Sequence, residues 1–258
     1  MTIANHPGKP VELVIFDCDG VLVDSERIAV RVQVEVGAQL GWPLGADEVV
    51  QRFIGRSHAA IWQQVGERLG PAAAVEWEHR FERRHRELVD AELTPVDGIV
   101  ETLDALDALG LPYCVASSGS HAKMRHTLGR TGLYERFAGR IFSAEEVARG
   151  KPFPDVFLHA AARTGYAPEV CAVVEDSPAG LRAARAAGMR RLGYTAGPTG
   201  GALTGGEFGG GALGGGALGG SVSGNGAFGE RGDGGVDDTV LFSEMRQLPA
   251  LLRTFTAG

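Results

Sequence analysis

The tightest constraint in this sequence is a three-residue apolar run, Val14-Ile15-Phe16, that leads straight into two carboxylates, Asp17 and Asp19. A run this short and apolar reads as a buried strand. At a strand end, residues i and i+2 point the same way. Asp17 and Asp19 therefore face one small volume, while Cys18 faces the packing behind it. Gly20 lets the backbone turn close to whatever occupies that volume. Two like charges so close are costly unless a cation joins them or one carries a proton. The pattern points to a metal-assisted site.

From Ser25 to about Ala91 the period changes to helical. Ile28, Val32, Val36 and Leu40 share a face, and Gly41-Trp42-Pro43 ends that helix. Further helices are expected over 47–53, 59–69 and 72–89, with the loop Ile54 to His58 between the first two. No strand is expected in this block. An all-helical segment between two strands cannot belong to the sheet, so it forms a separate lobe over residues 24–94. Its two closely spaced connections suit a hinged lid. Arg56 and His58, in the interhelical loop, are the candidates to meet a substrate from that side. The arginines near Arg83 alternate with glutamates and read as a solvated helix face.

The second half alternates. Strands are expected at Tyr113-Cys114-Val115-Ala116, Ile141-Phe142, Ala172-Val173-Val174 and Arg191-Leu192-Gly193-Tyr194, with helices between them. Strand–helix alternation with continuously apolar strands means an α/β fold, a doubly wound parallel sheet covered on both faces. In such sheets functional residues gather beyond the carboxyl ends of the strands. The polar clusters lie there: Asp17 and Asp19, then Ser117 and Ser118, then Glu175 and Asp176, with Lys151 on a loop before a helix.

From Gly197 to Gly235 about half the residues are glycine, which loses too much backbone entropy on ordering and buries too little to offset it. This stretch, 197–235, reads as a flexible insertion in the core. A last strand is expected at Thr239 to Phe242 and a last helix at Ser243 to Phe255.

The net charge of −7 argues against nucleic acid or an anionic membrane as a partner. No apolar run has the length of a membrane span. Cys18, Cys114 and Cys171 sit in apolar strand-like runs and read as reduced core residues. These features point to a cytoplasmic protein; a monomer or a weak homo-oligomer is expected.

Four segments, in order, carry a resemblance: Asp17-x-Asp19; Ser117 in Val115-Ala116-Ser117-Ser118-Gly119; Lys151 in Gly150-Lys151-Pro152-x-Pro154-Asp155; and Glu175-Asp176-Ser177-x-Ala179-Gly180. Together they resemble the haloacid dehalogenase-like (HAD) superfamily in its phosphatase and beta-phosphoglucomutase branch. The resemblance implies a Rossmann-like catalytic core over 1–23 and 95–258, with residues 24–94 as a helical cap. It implies a Mg2+-dependent phosphatase acting on small phosphorylated metabolites, with Asp17 as nucleophile and Asp19 as general acid and base. Lys151 and Ser117 would bind phosphoryl oxygens, helped by backbone N–H groups near Ser118 and Gly20. The metal would be held by Asp17, Asp176 and the backbone carbonyl of Asp19, with Glu175 as a further ligand or an outer-shell acceptor. The dehalogenase branch lacks the second carboxylate, present here as Asp19. The mutases have a histidine shortly after the Asp-(Ser/Thr) pair, where this chain has Ala29 or its neighbours. Both departures favour a phosphatase, similar to those acting on sugar phosphates such as 6-phosphogluconate. A non-catalytic module would be expected to have lost a charged residue of these segments, and none is lost.

Overall fold

The computed structural model describes residues 9–54, 58–204 and 238–255. Its centre is a parallel sheet formed by β1 (Leu13–Phe16), β2 (Tyr113–Ser117), β3 (Ile141–Ser143), β4 (Cys171–Glu175), β5 (Arg190–Tyr194) and β6 (Val240–Phe242), in the order β3-β2-β1-β4-β5-β6. The strand residues alternate between two apolar layers. Val14, Phe16, Val115 and Val174 face one layer, and Leu13, Ile15, Cys114, Ala116 and Val173 face the other. Burial on both faces explains why these strands read as continuous apolar runs.

Helices close both layers. On one face, α5 (Ile99–Ala108), α6 (His121–Arg130) and α10 (Leu248–Thr254) contribute Leu103, Leu106, Leu128 and Leu248. On the other, α7 (Asp155–Thr164) and α8 (Pro178–Ala186) contribute Phe157, Ala160, Ala183 and Ala184. The chain winds from β1 outward through β2 to β3, then returns to place β4 on the opposite side of β1. The carboxyl end of β1 is thus the switch point where open α/β sheets form their crevice.

Between β1 and β2 lie α1 (Ser25–Gln39), α2 (Ala46–Arg52), α3 (His58–Leu69) and α4 (Pro71–Glu92). They pack around Trp42, Phe53 and Trp77, whose ring centroids lie 5.9–6.0 Å apart. The buried indole N–H of Trp77 donates to Gln33 Oε1 at 2.6 Å, which satisfies both polar groups. The connections into and out of this block run side by side: Asp24 N–H donates to Thr94 O, and Val96 N–H to Leu22 O, each at 3.0 Å. Among the described residues no helix is long and apolar enough to cross a membrane.

Two expectations change. The glycine-rich insertion was expected to begin at Gly197, but α9 (Gly200–Thr204) forms within it. Leu203 is fully buried, and Thr199 is buried beside the strand ends. A Cβ at Gly200 would lie 1.8 Å from Thr195 O, so glycine is required there for close packing, not for freedom. Residues 205–235 lie outside the described residues. The last helix also begins differently, with one 3-10 turn at Met245–Gln247 before α10.

Candidate active site

The side chains converge beyond the carboxyl ends of β1, β2 and β4. Asp17 directly follows β1, and its backbone N–H continues the ladder to Val174 O. One turn of chain then closes, with Gly20 N–H donating to Val23 O at 2.9 Å and Leu22 N–H to Cys18 O. Gly20 has φ 76°, and a Cβ there would lie 2.0 Å from Asp176 Oδ2. Its N–H is therefore spent within the turn and does not offer itself to a phosphoryl group. What Gly20 provides is room for Asp176.

Lys151 reaches in from the loop before α7. Its ammonium donates to Asp17 Oδ1 at 2.6 Å and to Glu175 Oε1 at 2.8 Å, and it lies 4.8 Å from the centroid of the Phe157 ring. A buried ammonium is stable only with such partners. Although burial favours the neutral amine, Asp17 and Glu175 outweigh it and hold Lys151 charged, well above the usual lysine range. Glu175 is fully used: its other oxygen accepts from Ser177 N–H and Oγ at 2.8 and 2.9 Å. This suits an outer-shell acceptor better than a direct metal ligand.

Asp176 stands on the other side. Its Oδ2 accepts from Thr199 Oγ1 at 2.9 Å, and Thr199 also donates to Glu26 Oε2 at 3.3 Å. Burial, then Glu26, Glu175 and Asp17, push the Asp176 carboxyl far above its ordinary range. Burial likewise pushes Glu26 up to about 7 and Asp17 up to about 6, the latter despite Lys151. Among the described residues no lysine or arginine pairs with Glu26 or Asp176. Oxygens of Asp17, Glu175 and Asp176 all lie within 4.8 Å of one another. An all-oxygen, buried and charge-deficient set of this kind fits a hard divalent cation such as Mg2+.

Asp19 is held apart from that cluster. Ser25 Oγ donates to its Oδ1 at 2.6 Å and Lys123 Nζ to its Oδ2 at 2.7 Å. Burial alone would raise its pKa, but Lys123 and Ser25 outweigh burial and lower it. Among the expected metal ligands, then, the Asp19 side chain does not join the Asp17, Glu175 and Asp176 oxygens. Ser117 is buried at the end of β2, with its Oγ accepting from Gly119 N–H at 3.1 Å, while Ser118 is exposed beside it. Arg56 lies outside the described residues, as does the side chain of His58, which opens α3.

The sequence shows Ser25 and Glu26 in the first motif and Lys123 shortly after Ser117-Ser118-Gly119 without giving them a role, and it gives no sign of His85 or Thr199. Ser25 and Glu26 stand within the first motif and were legible there as polar residues opening a helix. Thr199 carried no signal, because it lies in a stretch that looks like a glycine linker. His85, on α4, stacks on Phe81 at 5.2 Å; burial and then Lys123 lower its pKa, and Asp19 opposes them.

A cleft of about 950 Å³ opens from Thr199 between α1 and α2 on one side and α8 and α9 on the other. It separates the helical block from the core at this edge, and of the site residues only Thr199 lines it.

A family model described as haloacid dehalogenase-like hydrolase matches residues 11–188, most of the chain. The chain belongs to the haloacid dehalogenase-like hydrolase family. Among curated proteins, it is 36% identical over 189 residues to the 6-phosphogluconate phosphatase of Escherichia coli (strain K12), covering 73% of this chain and 84% of that protein. It is 32% identical over 186 residues to hexitol phosphatase A of the same organism, covering 70% and 82%. Among solved structures, a conserved haloacid dehalogenase-like protein of unknown function from Agrobacterium tumefaciens str. C58 superposes with a TM-score of 0.72 at 30% identity, covering 94% of this chain and 98% of that one. The HAD-like fold accounts for the parallel sheet and for the shared location of the site at its strand ends.

Proposed function

We propose that this HAD-like hydrolase is a Mg2+-dependent phosphatase of small phosphorylated metabolites, sugar phosphates foremost, working through an aspartyl phosphate on Asp17. The observation that carries the reading is Asp17 itself: a buried carboxylate at the switch point, 2.6 Å from a buried lysine and beside two more carboxylates. The names of the two relatives, both phosphatases, support the substrate class.

A phosphate monoester repels nucleophiles, so catalysis rests on charge neutralisation and an in-line attack. Asp17 attacks phosphorus; a carboxylate oxygen–phosphorus bond forms as the bond to the leaving oxygen breaks. Asp19 gives that oxygen a proton, then takes one from the water that hydrolyses the aspartyl phosphate, and phosphate departs. Lys151 and Ser117 bind the phosphoryl oxygens as charge develops on them. Asp17 and Asp176, with the Asp19 carbonyl, would hold Mg2+, and Glu175 would orient Lys151 from the outer shell. When bound, Mg2+ supplies the positive charge that this oxygen-rich site lacks.

Residues 24–94 serve in this reading as a cap hinged at the paired connections near Val23 and Pro95, with Arg56 and His58 as its candidates to recognise the organic part of the substrate. The buried free thiols, Cys114 pushed up to about 12 by burial, suit the cytoplasm. The enzyme acts as a monomer or a weak homo-oligomer and needs neither nucleic acid nor a membrane.

The test is phosphate release from 6-phosphogluconate, hexitol and hexose 6-phosphates, 2-phosphoglycolate and beta-glucose 1-phosphate, with Mg2+ and with chelator. Release from one or more sugar phosphates, abolished by chelator, is the expected result. Conversion of beta-glucose 1-phosphate to the 6-phosphate without release would instead make the protein a mutase.

A further inference from the structure

Each of the two carboxylates at the end of β1 carries its own lysine. Lys151, on Asp17, belongs to the chemistry described above. Lys123, 2.7 Å from Asp19 Oδ2, has no part in it yet.

The placement of Lys123 is built from several elements. Ser120 caps α6, its Oγ accepting from Lys123 N–H at 3.1 Å, which sets the lysine in the first turn of a helix that starts beside Ser117. From there the side chain passes Gly119, where a Cβ would lie 3.5 Å from Lys123 Cδ, and crosses to the end of β1. Ser25, at the start of α1, takes the other Asp19 oxygen at 2.6 Å. Both oxygens of Asp19 are thereby held, one from each of two helices that begin at the site. Helix α4 meets α6 near Asp90, which pairs with His126 at 2.8 Å and whose carbonyl accepts from Arg130, and His85, earlier on α4, lies within the electrostatic reach of Lys123.

Stability does not explain this ion pair. The side chains of Lys123 and Asp19 are 44% and 24% exposed, and an ion pair reached by solvent from the lysine side contributes modestly to folding. Proton transfer does explain it, because a general acid works only when its carboxyl is aimed at the leaving oxygen.

We propose that Lys123 is a positioning residue for Asp19: together with Ser25 it fixes the Asp19 carboxyl in the orientation from which it serves the leaving group. This rests on the phosphatase reading. It gives the loop after β2 a second task, since the segment that presents Ser117 to phosphate also aligns the acid.

The test uses leaving groups of different need. The quantity kcat/KM covers only the steps through departure of the alcohol. p-Nitrophenolate leaves without a proton, whereas an alkoxide requires one. In the full-length enzyme with Mg2+, Lys123→Met is expected to lower kcat/KM about 10- to 100-fold for the alkyl phosphate that wild type hydrolyses fastest, and no more than about threefold for p-nitrophenyl phosphate. Lys123→Arg, which keeps a donor near Asp19, recovers most of the alkyl activity. The thermal midpoint of Lys123→Met stays near that of wild type. Equal losses on the two substrates would overturn the proposal, because they would mean that Lys123 attracts phosphate or supports the fold. Unchanged kcat/KM on both would overturn it as well. A wild type that hydrolyses neither substrate would bring down the phosphatase reading itself, a result distinguished by its appearance before any substitution.

Discussion

The two sides of this acidic site differ in how their charge is balanced. On one side Lys151 lies between Asp17 and Glu175, 2.6 and 2.8 Å from them, and the Ser177 N–H and hydroxyl complete Glu175. On the other, the Asp176 and Glu26 carboxyls hydrogen-bond to each other, and both lie against the Thr199 hydroxyl. The first side is a satisfied ion-pair network. The second is the buried Asp176 beside the half-buried Glu26, with no lysine or arginine paired to either among the described residues, and both carboxyls are pushed toward the protonated form. The difference teaches where added positive charge belongs. Lys151 already balances Asp17 and Glu175, so in the proposed reading the charge that a divalent cation would add is needed most on the Asp176 side.

The comparison can be broken by experiment. The largest effect is expected from Asp17→Asn, which removes the nucleophile and is predicted to lower turnover by at least about 10³-fold, with the circular dichroism spectrum unchanged. Retained turnover would move the chemistry away from β1. Lys151→Met comes next. It strands Asp17 and Glu175 in a buried site and is expected to cost about 3–5 kcal/mol by urea unfolding without metal. On the other side, Thr199→Val removes a single hydroxyl and is expected to cost about 1–3 kcal/mol. Equal costs would erase the distinction between the two sides.

A smaller effect is expected from pH. A carboxyl whose folded pKa is raised contributes stability that is present below its ordinary pKa and lost as pH rises through the folded value. Asp17 rises from 3.8 to about 6 and Glu26 from 4.5 to about 7, both mainly through burial. The metal-free protein should therefore lose thermal stability as pH climbs from about 4 to about 7, the window those two shifts define. Mg2+ should restore more stability at pH 8 than at pH 5, because it binds the ionised carboxylates. A metal-free melting temperature that climbs across this window, or Mg2+ stabilisation that is strongest at acid pH, would contradict the charge balance described here.

The legible parts of the molecule were those written locally. Asp17, Asp19, Ser117, Lys151, Glu175 and Asp176 each stand at a strand end or at a loop leading into a helix, so strand periodicity located them and topology brought them together. The helical block was legible from its 3.6-residue period. What escaped were contacts made by distant segments. Thr199 bonds Asp176 across 23 residues, and Lys123 bonds Asp19 across 104. No local pattern marks such partners. Thr199 was further hidden by composition. A glycine-rich stretch suggests freedom, whereas Gly200 is there because Thr195 O leaves no space for a side chain. Gly20 is the opposite case: its turn is legible in the sequence, but not that the turn uses the Gly20 N–H to bond Val23 O.

The most direct test of the account is to find the phosphoryl group. Wild-type enzyme with Mg2+ is mixed with its best substrate, quenched in acid within the first turnover, reduced with borohydride and mapped by tandem mass spectrometry. The account predicts modification at Asp17 in wild type and none in Asp17→Asn. Phosphate release with no modification at Asp17 in any quenched sample, or a phosphoryl group trapped on another residue, would contradict it.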